Sequence, residues 1–456
     1  MTINIATDEA EAFLAQYPNV TTIELLICDL NGVLRGKRIE RELLLKIFSA
    51  GFYLPGSVMS LDAAGSTVEE AGLGMHQGDR DYPCFPIPGT LSLVPWHEDG
   101  DRAQVLCTMY DDNEEGFFAD PRQVLVRAIQ KFEALGCTPG IAVELEFYLI
   151  DRQRTDTGAI QPPLIPGTDR RMTSCQVYSM DDLDDYDFFI RDILETAKIQ
   201  GIPADTVIAE YAPGQFEVNL NYGNDILEAV DNAVLLKRLI ASVAKKYDME
   251  ATFMAKPYID QAGSGMHLHL SLMKDGENIF AADDPTQNPM LRWAIGGLID
   301  LADATQAFLT PSINSFRRLA PSAFAPTSKT WGYDNRTVAL RIPSGSMEST
   351  RIEHRLSGAD TNPYLGTAVL LAGVTEGILN KIEPPAPIEG NSYDQEHPMV
   401  ADNQRDALRA MLGDERVVDW FTQDFIDVYQ TCKWSELRMF EMQITPMEYE
   451  LLLPYL

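Results

Sequence analysis

"GIAVELEFYLI" (Gly140–Ile150) places Val143, Leu145 and Phe147 in alternation with Glu144 and Glu146. That period of two predicts a strand with both carboxylates on the face opposite the apolar set, about 6.6 Å apart. On a solvated face such a pair is ordinary polar surface, so its meaning depends on what lies beside it. "EYAPGQFE" (210–217) supplies a neighbour: Ala212-Pro213-Gly214-Gln215 is a turn-forming centre, with Glu210 and Glu217 symmetric about it. A hairpin there is expected to set the two glutamates opposite each other. Like charges facing across a ladder repel unless the face is well solvated or a cation lies between them, so a divalent cation is the physical hypothesis.

Two further stretches carry the same period. "RIEHRL" (351–356) puts Arg351, Glu353 and Arg355 on one face and Ile352, His354 and Leu356 on the other, which on its own is equally a salt-bridge ladder. "GSGMHLHLSL" (263–272) aims His267 and His269 to one side, where they could chelate one zinc ion, pack as a core pair or meet a harder metal. Carboxylates with one or two imidazoles form an oxygen-rich set that suits Mg²⁺ or Mn²⁺ better than zinc. Nearby arginines, Arg317 and Arg318 in "RRL" and Arg336 and Arg341 in "NRTVALRIP", suit phosphate and carboxylate. Metals beside arginines point to phosphoryl transfer, and with no GxxxxGK[ST] and no GxGxxG opening a helix, a nucleotide would be held without a P-loop. The absence of GxSxG argues against a serine hydrolase.

The chain's 456 residues, 45% of them hydrophobic, suffice for one large domain and a small one. Thirty-six Lys and Arg against 68 Asp and Glu give a net charge of −32, which argues against nucleic acid or an anionic membrane as the main partner. No charge-free apolar run reaches a membrane span, and the opening "MTINIATDEAEAF" is acidic, so a cytoplasmic location is the expectation. The cysteines at 28, 84, 107, 137, 175 and 432 contain no CxxC pair, and reduced, mostly buried thiols are expected.

Residues 1–112 read as short strands and turns. "TIELLICDLNGVLRGKRI" predicts two strands around Asn31-Gly32, and "YPCFPIPGTLSLVP" predicts a loop feeding an edge strand. After "DDNEEG", a helix is expected with Asp120 as cap, Pro121 in the first turn and Gly136 at its end, and the domain boundary is placed near residue 112. Residues 113–456 then mix strands and helices without strict βαβ alternation, which favours α+β. "IEPPAPIEGNSYDQEHP" predicts an exposed loop before a final helix.

"ELEF", "EYAPGQFE", "KPYIDQAGSGMHLHLSL", "NSFRRLAP", "NRTVALRIP" and "RIEHRL" follow one another in the order and approximate spacing of the glutamine synthetase family, which the chain resembles from "DLNGVLRGK" to "TPMEYELLL". The resemblance implies a small N-terminal β-grasp domain, a large catalytic α+β domain with a curved antiparallel sheet, and a homo-oligomer of two stacked hexameric rings whose active sites are shared between neighbours. By motif, Glu146, Glu210 and Glu217 resemble the ligands of one divalent ion, and Glu144, His267 and Glu353 those of another, with two or three Mg²⁺ or Mn²⁺ in all. Gly263, Arg318 and Arg355 resemble the residues that hold glutamate; His269, Ser271, Arg336, Arg341, Arg351 and Asp205 resemble nucleotide and phosphate contacts. Arg336 and Arg318 are the residues placed at the reacting groups. The implied chemistry is attack of the glutamate γ-carboxylate on the γ-phosphate of ATP, followed by capture of the acyl phosphate by an amine.

Departures from the family pattern bear on that amine. Where ammonium-using members carry a Glu six residues after the arginine matching Arg318, this chain has Phe324; where their N-terminal domain supplies an Asp, the similar stretch "FYLPGS" has Pro55. Losing both acids removes the attraction for NH₄⁺ and adds apolar surface, so an alkylamine is expected to fit better. The pattern resembles the γ-glutamylpolyamine and γ-glutamylamine synthetases and implies ligation of L-glutamate to a primary amine such as putrescine or a longer polyamine. Because an alkylammonium near the lysine reference of about 10.4 must shed a proton, activity is expected to rise toward alkaline pH. Glu69 or Asp62 could hold a distal ammonium or be ordinary loop charges, and Tyr393 sits near a tyrosine modified in some family members, in different surroundings. Glutamine synthetase using ammonium and a non-catalytic ring scaffold remain as alternatives.

Overall fold

Residues 22–40 form the two strands expected around Asn31-Gly32: β1 (Thr22–Cys28) and β2 (Leu34–Glu40) pair antiparallel, with Thr22 opposite Glu40 and Cys28 opposite Leu34. The structure, a computed structural model, describes residues 5–97, 99–173, 176–284, 287–321 and 323–456; Cys175 lies outside them. A helix at Leu44–Ala50 buries Leu44, Ile47 and Phe48 and leads into β3 (Phe52–Pro55), followed by β4 (Asp81–Pro86), β5 (Ser92–Leu93) and β6 (Arg102–Met109). Hairpin, helix and returning strands make a β-grasp sheet in the order β2-β1-β6-β4-β3, with β1 parallel to β6.

The expectation of a loop at "YPCFP" is corrected here, because β4 runs through it. Pro83 is matched only on the β3 side and Pro86 only on the β6 side, while Cys84 alone pairs both ways. A missing N–H is tolerated where a strand has a neighbour on one side only.

The second sheet is built from β7 (Thr138–Asp151), β8 (Ala204–Ala209), β9 (Gln215–Leu220), β10 (Met249–Thr252), β11 (Met266–Lys274), β12 (Glu277–Asn278), β13 (Trp331–Tyr333), β14 (Leu340–Ile342) and β15 (Ile352–His354). Its main path is β13-β14-β15-β11-β7-β9-β8, antiparallel except for β13 with β14. Fourteen-residue β7 is the spine, paired with β11 on one edge and β9 on the other. Helices cover the apolar face, which makes the architecture α+β.

Helix Pro121–Phe132 starts as the sequence predicts, with Asp120 accepting from Arg122 N, and a 3₁₀ turn over Glu133–Leu135 carries it to Gly136 in the left-handed conformation. Its Arg122 forms a two-pronged bond to Asp231 of helix Ile226–Lys246, at 2.9 Å on each oxygen. Tyr364 Oη, from helix Pro363–Asn380, donates to the same carboxylate at 2.6 Å. Three helices are thus joined at one buried anion beneath the sheet.

Helix Pro363–Asn380 is buried on almost every side and is capped by Asn362, whose Nδ2 also donates to Asp29 O at 2.9 Å and so ties the first sheet to the second unit. Among the described residues no helix is long and apolar enough to cross a membrane. Cys28, Cys84, Cys107 and Cys432 are buried thiols and Cys137 is half-buried. Four helices, not one, follow the proline-rich loop near the C-terminus, because Asp414 restarts the chain after Gly413 and Thr422, at φ 67°, turns it again.

Candidate active site

Three adjacent register rows across the second sheet carry the polar face. In the first, Glu146 of β7 stands directly opposite Glu217 of β9, which in turn faces Ile208 of β8. In the second, His267 of β11, Glu144 of β7 and Asn219 of β9 are aligned. In the third, Arg341, Glu353, His269 and Ala142 follow one another from β14 to β7. The alternation seen in "GIAVELEFYLI" therefore holds: Val143, Leu145 and Phe147 are buried beneath the carboxylate face.

The symmetric pairing of Glu210 with Glu217 does not form. Gln215 N donates to Ala212 O and Glu210 N to Gln215 O, both at 2.9 Å, so the turn sets Ile208 opposite Glu217. Gly214, at φ 75°, makes this turn possible, and a Cβ there would meet Leu149 O at 2.7 Å. The shift is by two residues, which preserves the face, and Glu217 instead meets Glu146.

Buried anions in contact raise one another's pKa. Glu210 is pushed up to about 8 by burial and by Glu146, and Glu217 well above the usual carboxylate range by burial and by Glu144, Glu146 and Glu210. Elsewhere in the array cations prevail. Burial would raise Glu144, but His269 and His267 hold it well below the usual value; Arg355, then the two histidines, hold Glu353 at about 2 against the same burial. His267 Nδ1 lies 3.1 Å from Glu144 Oε2 and its Nε2 lies 3.8 Å from Glu146 Oε1. His269 Nδ1 accepts from Arg351 Nε at 3.1 Å, and its Nε2 lies 2.8 Å from Glu144 Oε1. His354, on the opposite face of the sheet, is buried and pushed down to about 4.

Ligand atoms of Glu144, Glu217 and His267 lie within 4.8 Å of one another, as do those of Glu144, His269 and Glu353. The trios expected by resemblance are divided differently: Glu144 is common to both, because His267 stands opposite it in its own register row and His269 in the next, and Glu146 and Glu210 belong to neither. Oxygen and imidazole donors gathered around carboxylates that burial and mutual repulsion push up in pKa fit a hard divalent metal.

A cavity of about 580 Å³ opens over these rows and is also lined by Gly263, Arg318, Arg355, Arg336, Arg341 and Phe324. Arg318, 3% exposed, gives its guanidinium to the carbonyls of Leu356 and Arg355 at 3.1 Å. Its path requires glycine at 265, where a Cβ would lie 2.6 Å from Arg318 Nη2 and 2.9 Å from His267 Nε2. Arg341 and Arg355 both bond Glu353, the first at 2.8 Å. In the "RIEHRL" ladder only Arg355 pairs with Glu353; Arg351 turns away to His269 and to Ser349 O. A neighbouring cavity of about 410 Å³ is lined by His269, Ser271 and Arg351 with Tyr222, whose hydroxyl accepts from Ser271 Oγ at 3.1 Å. The residues expected at the nucleotide are thus split between two cavities on one face of the sheet. Asp205 lines neither: it is exposed at an irregularity of β8 and accepts from Thr206 Oγ1 at 2.9 Å.

A model of the glutamine synthetase catalytic domain matches residues 118–452. The chain belongs to the glutamine synthetase family. Among relatives in the family, it is 44% identical to γ-glutamylputrescine synthetase PuuA of Escherichia coli K12, over 98% of this chain and 94% of that one. It is 34% identical to glutamate–isopropylamine ligase of a Pseudomonas species, covering 92% of each. The solved structure of a GmaS/ADP complex superposes with a TM-score of 0.85 at 26% identity, covering 98% of this chain and all of the other.

Phe324, where ammonium-using members of the family have a glutamate, points its ring into the mouth of the larger cavity and is 45% exposed. Its backbone takes φ 52°, and its carbonyl accepts from Arg355 Nη2 at 3.3 Å. Pro55 lies on β3 at the sheet's end, opposite Asp81, and does not line the cavity of its own chain. A proline on an edge strand of the first sheet cannot share a pocket with Phe324 unless a second subunit brings it there. Asp62 is spent on its own loop, accepting from Ala64 N and Ser66 N at 2.9 Å, and Glu69 packs against Gly74; neither lines the cavity. Tyr393 donates to Ala325 O at 2.9 Å. The sequence reading missed Tyr178, Tyr211, Ile259 and Asp260 at the cavity mouth, and a signal for the last two existed in their position just before Gly263.

Proposed function

We propose that the protein is an ATP-dependent ligase that joins the γ-carboxylate of L-glutamate to a primary alkylamine, such as putrescine or a longer polyamine, through a γ-glutamyl phosphate. Phe324 carries the choice of amine: an apolar ring at the mouth of a metal-lined cavity offers nothing to ammonium and contact area to a methylene chain. The names of the two relatives, both ligases of glutamate and an amine, support the same reading.

In this reading Glu144, Glu146, Glu210, Glu217, His267 and Glu353 hold two divalent ions, with room for a third at the phosphates. Bound Mg²⁺ or Mn²⁺ supplies Lewis-acid neutralisation of charge on the transferring phosphoryl oxygens. Gly263, Arg318 and Arg355 bind and orient glutamate, Arg318 being fixed by two carbonyls before any ligand arrives. The smaller cavity takes the nucleotide against His269, Ser271 and Arg351, and Arg336 and Arg341 on the metal side meet its phosphates. Asp205 has at most a peripheral part in nucleotide binding. No enzyme nucleophile is needed, since the carboxylate of the substrate attacks.

The same reading takes residues 1–112 as the N-terminal domain and 113–456 as the catalytic domain, in a cytoplasmic assembly of two stacked hexameric rings. Pro55 then belongs to the cavity of a neighbouring subunit, which accounts for its position at the end of its own sheet. Sedimentation of the purified protein as a dodecamer tests the assembly. The function is tested by phosphate release from ATP with Mg²⁺ or Mn²⁺ and L-glutamate, comparing ammonium, putrescine, spermidine, ethanolamine and a monoamine. An alkylamine should dominate. Dominant ammonium turnover identifies a glutamine synthetase instead, and nucleotide binding without turnover identifies a scaffold.

A further inference from the structure

Four large apolar side chains rim the carboxylate-lined cavity: Tyr211 and Phe324, 44% and 45% exposed, with ring centroids 5.2 Å apart, and Tyr178 and Ile259, 54% and 80% exposed. Apolar surface gathered at one opening is unfavourable in water and marks a place that a ligand covers. Beside Ile259 stands Asp260. Among the described residues it is the one carboxylate lining this cavity apart from Glu144, Glu146, Glu210 and Glu217. It is exposed and makes no side-chain hydrogen bond or salt bridge to a described residue, although the Lys256 ammonium lining the same cavity is near enough to feel its charge. The nearest lysine in sequence, Lys256, commits its ammonium to the carbonyl of Gln261.

Asp260 is also within reach of the reacting groups. Gly263, three residues on, accepts from Gln215 Nε2 at 3.1 Å, and that nitrogen is 3.5 Å from Glu146 Oε2. Three residues span at most about 11 Å of chain. An apolar rim of aromatic faces, ending in an exposed carboxylate a short chain's length from the glutamate and histidine cluster, is complementary to an alkyl chain with a terminal cation.

We propose that Asp260 holds the distal ammonium of an α,ω-diamine whose methylene chain lies along Ile259, Tyr211 and Phe324, while its other nitrogen is presented to the reaction centre. This rests on the amine-ligase reading and adds to it a specificity-determining residue. Tyr178 and Tyr211 add cation–π attraction at the same end.

The test compares putrescine with n-butylamine, which has the same four-carbon chain and lacks one ammonium. In the wild-type protein the ratio of kcat/KM, putrescine over butylamine, should exceed the twofold expected from two equivalent amines by roughly 10- to 100-fold, the worth of one hydrogen bond to a charged group. In Asp260→Asn the ratio should collapse toward two, and Asp260→Glu should restore part of it. A wild-type ratio near two overturns the proposal, as does a ratio that Asp260→Asn leaves unchanged; a merely structural role would lower both amines in proportion. Turnover with ammonium alone would instead defeat the ligase reading, a separate outcome of the same assay.

Discussion

Titrating divalent metal onto the metal-free protein as pH is varied tests the carboxylate array directly. Glu210 has a folded-state pKa of about 8 against an ordinary value of 4.5, raised by burial and by Glu146. Over that interval the folded chain holds a proton that the unfolded chain has released, so stability is present at low pH and is lost as pH rises through about 8. The full interval corresponds to about 5 kcal/mol, at 1.36 kcal/mol per pH unit. Glu217 moves in the same direction, whereas Glu144 and Glu353 are held below the window by histidines and arginines and do not titrate within it. A metal must displace the protons of Glu210 and Glu217 to bind, so between pH 6 and 8 the Kd for Mn²⁺ should fall at least tenfold per pH unit. Calorimetric titration of EDTA-treated protein measures this. Thermal unfolding supplies the companion reading, with the metal-free Tm falling over the same range and Mn²⁺ restoring more at pH 8 than at pH 6. Glu210→Gln should flatten the metal-free slope and weaken Mn²⁺ binding. A Kd for Mn²⁺ independent of pH, or a metal-free Tm that rises from pH 6 to 8, would refute the reasoning.

Phe324→Ala should raise KM for an alkylamine about tenfold, from loss of roughly 50 Å² of apolar contact, while the unfolding midpoint in urea stays nearly constant because the ring is half exposed; an unchanged KM would remove Phe324 from the amine site. Arg351→Ala takes away the donor that fixes His269 and a cation of the smaller cavity, so nucleotide affinity by fluorescence titration should drop about 10- to 100-fold with the glutamate KM little altered. Asp231→Ala strips the shared acceptor from Arg122 and Tyr364 and leaves a buried guanidinium unpaired, at about 3–5 kcal/mol in urea unfolding. A cost below about 1 kcal/mol would mean that the three-helix junction relaxes or admits water.

Side-chain period was the most legible layer of the sequence. It placed Glu144 and Glu146 on one face and His267 with His269 on one face, because a strand's geometry fixes alternation whatever its partners. Register was not legible. The turn at Ala212–Gln215 is asymmetric, and only its hydrogen bonds decide that Ile208 faces Glu217. "YPCFP" misled for a related reason: proline forbids a donor, not a strand, and which edge needs the donor is a tertiary fact. Asp260 carries no period at all, since it sits in a loop and gains its meaning from the cavity beside it. Pro55 lies at the end of its own sheet, and no local pattern in "FYLPGS" says which cavity that end meets.

The rows of the second sheet and the loops at the cavity mouth differ in what change does to them. A substitution at Glu146 or Glu217 alters a buried array in which each charge sets the next, whereas Ile259, Asp260 and Phe324 stand in water and can be exchanged at a stability cost within about 0.5 kcal/mol. Such an architecture is modular in the evolutionary sense: one inherited phosphoryl-transfer engine can be fitted with new nucleophile preferences by drift in a handful of solvent-facing positions. Selection on a nitrogen source would then be recorded at the rim, and the strands beneath would look alike in descendants that eat different amines.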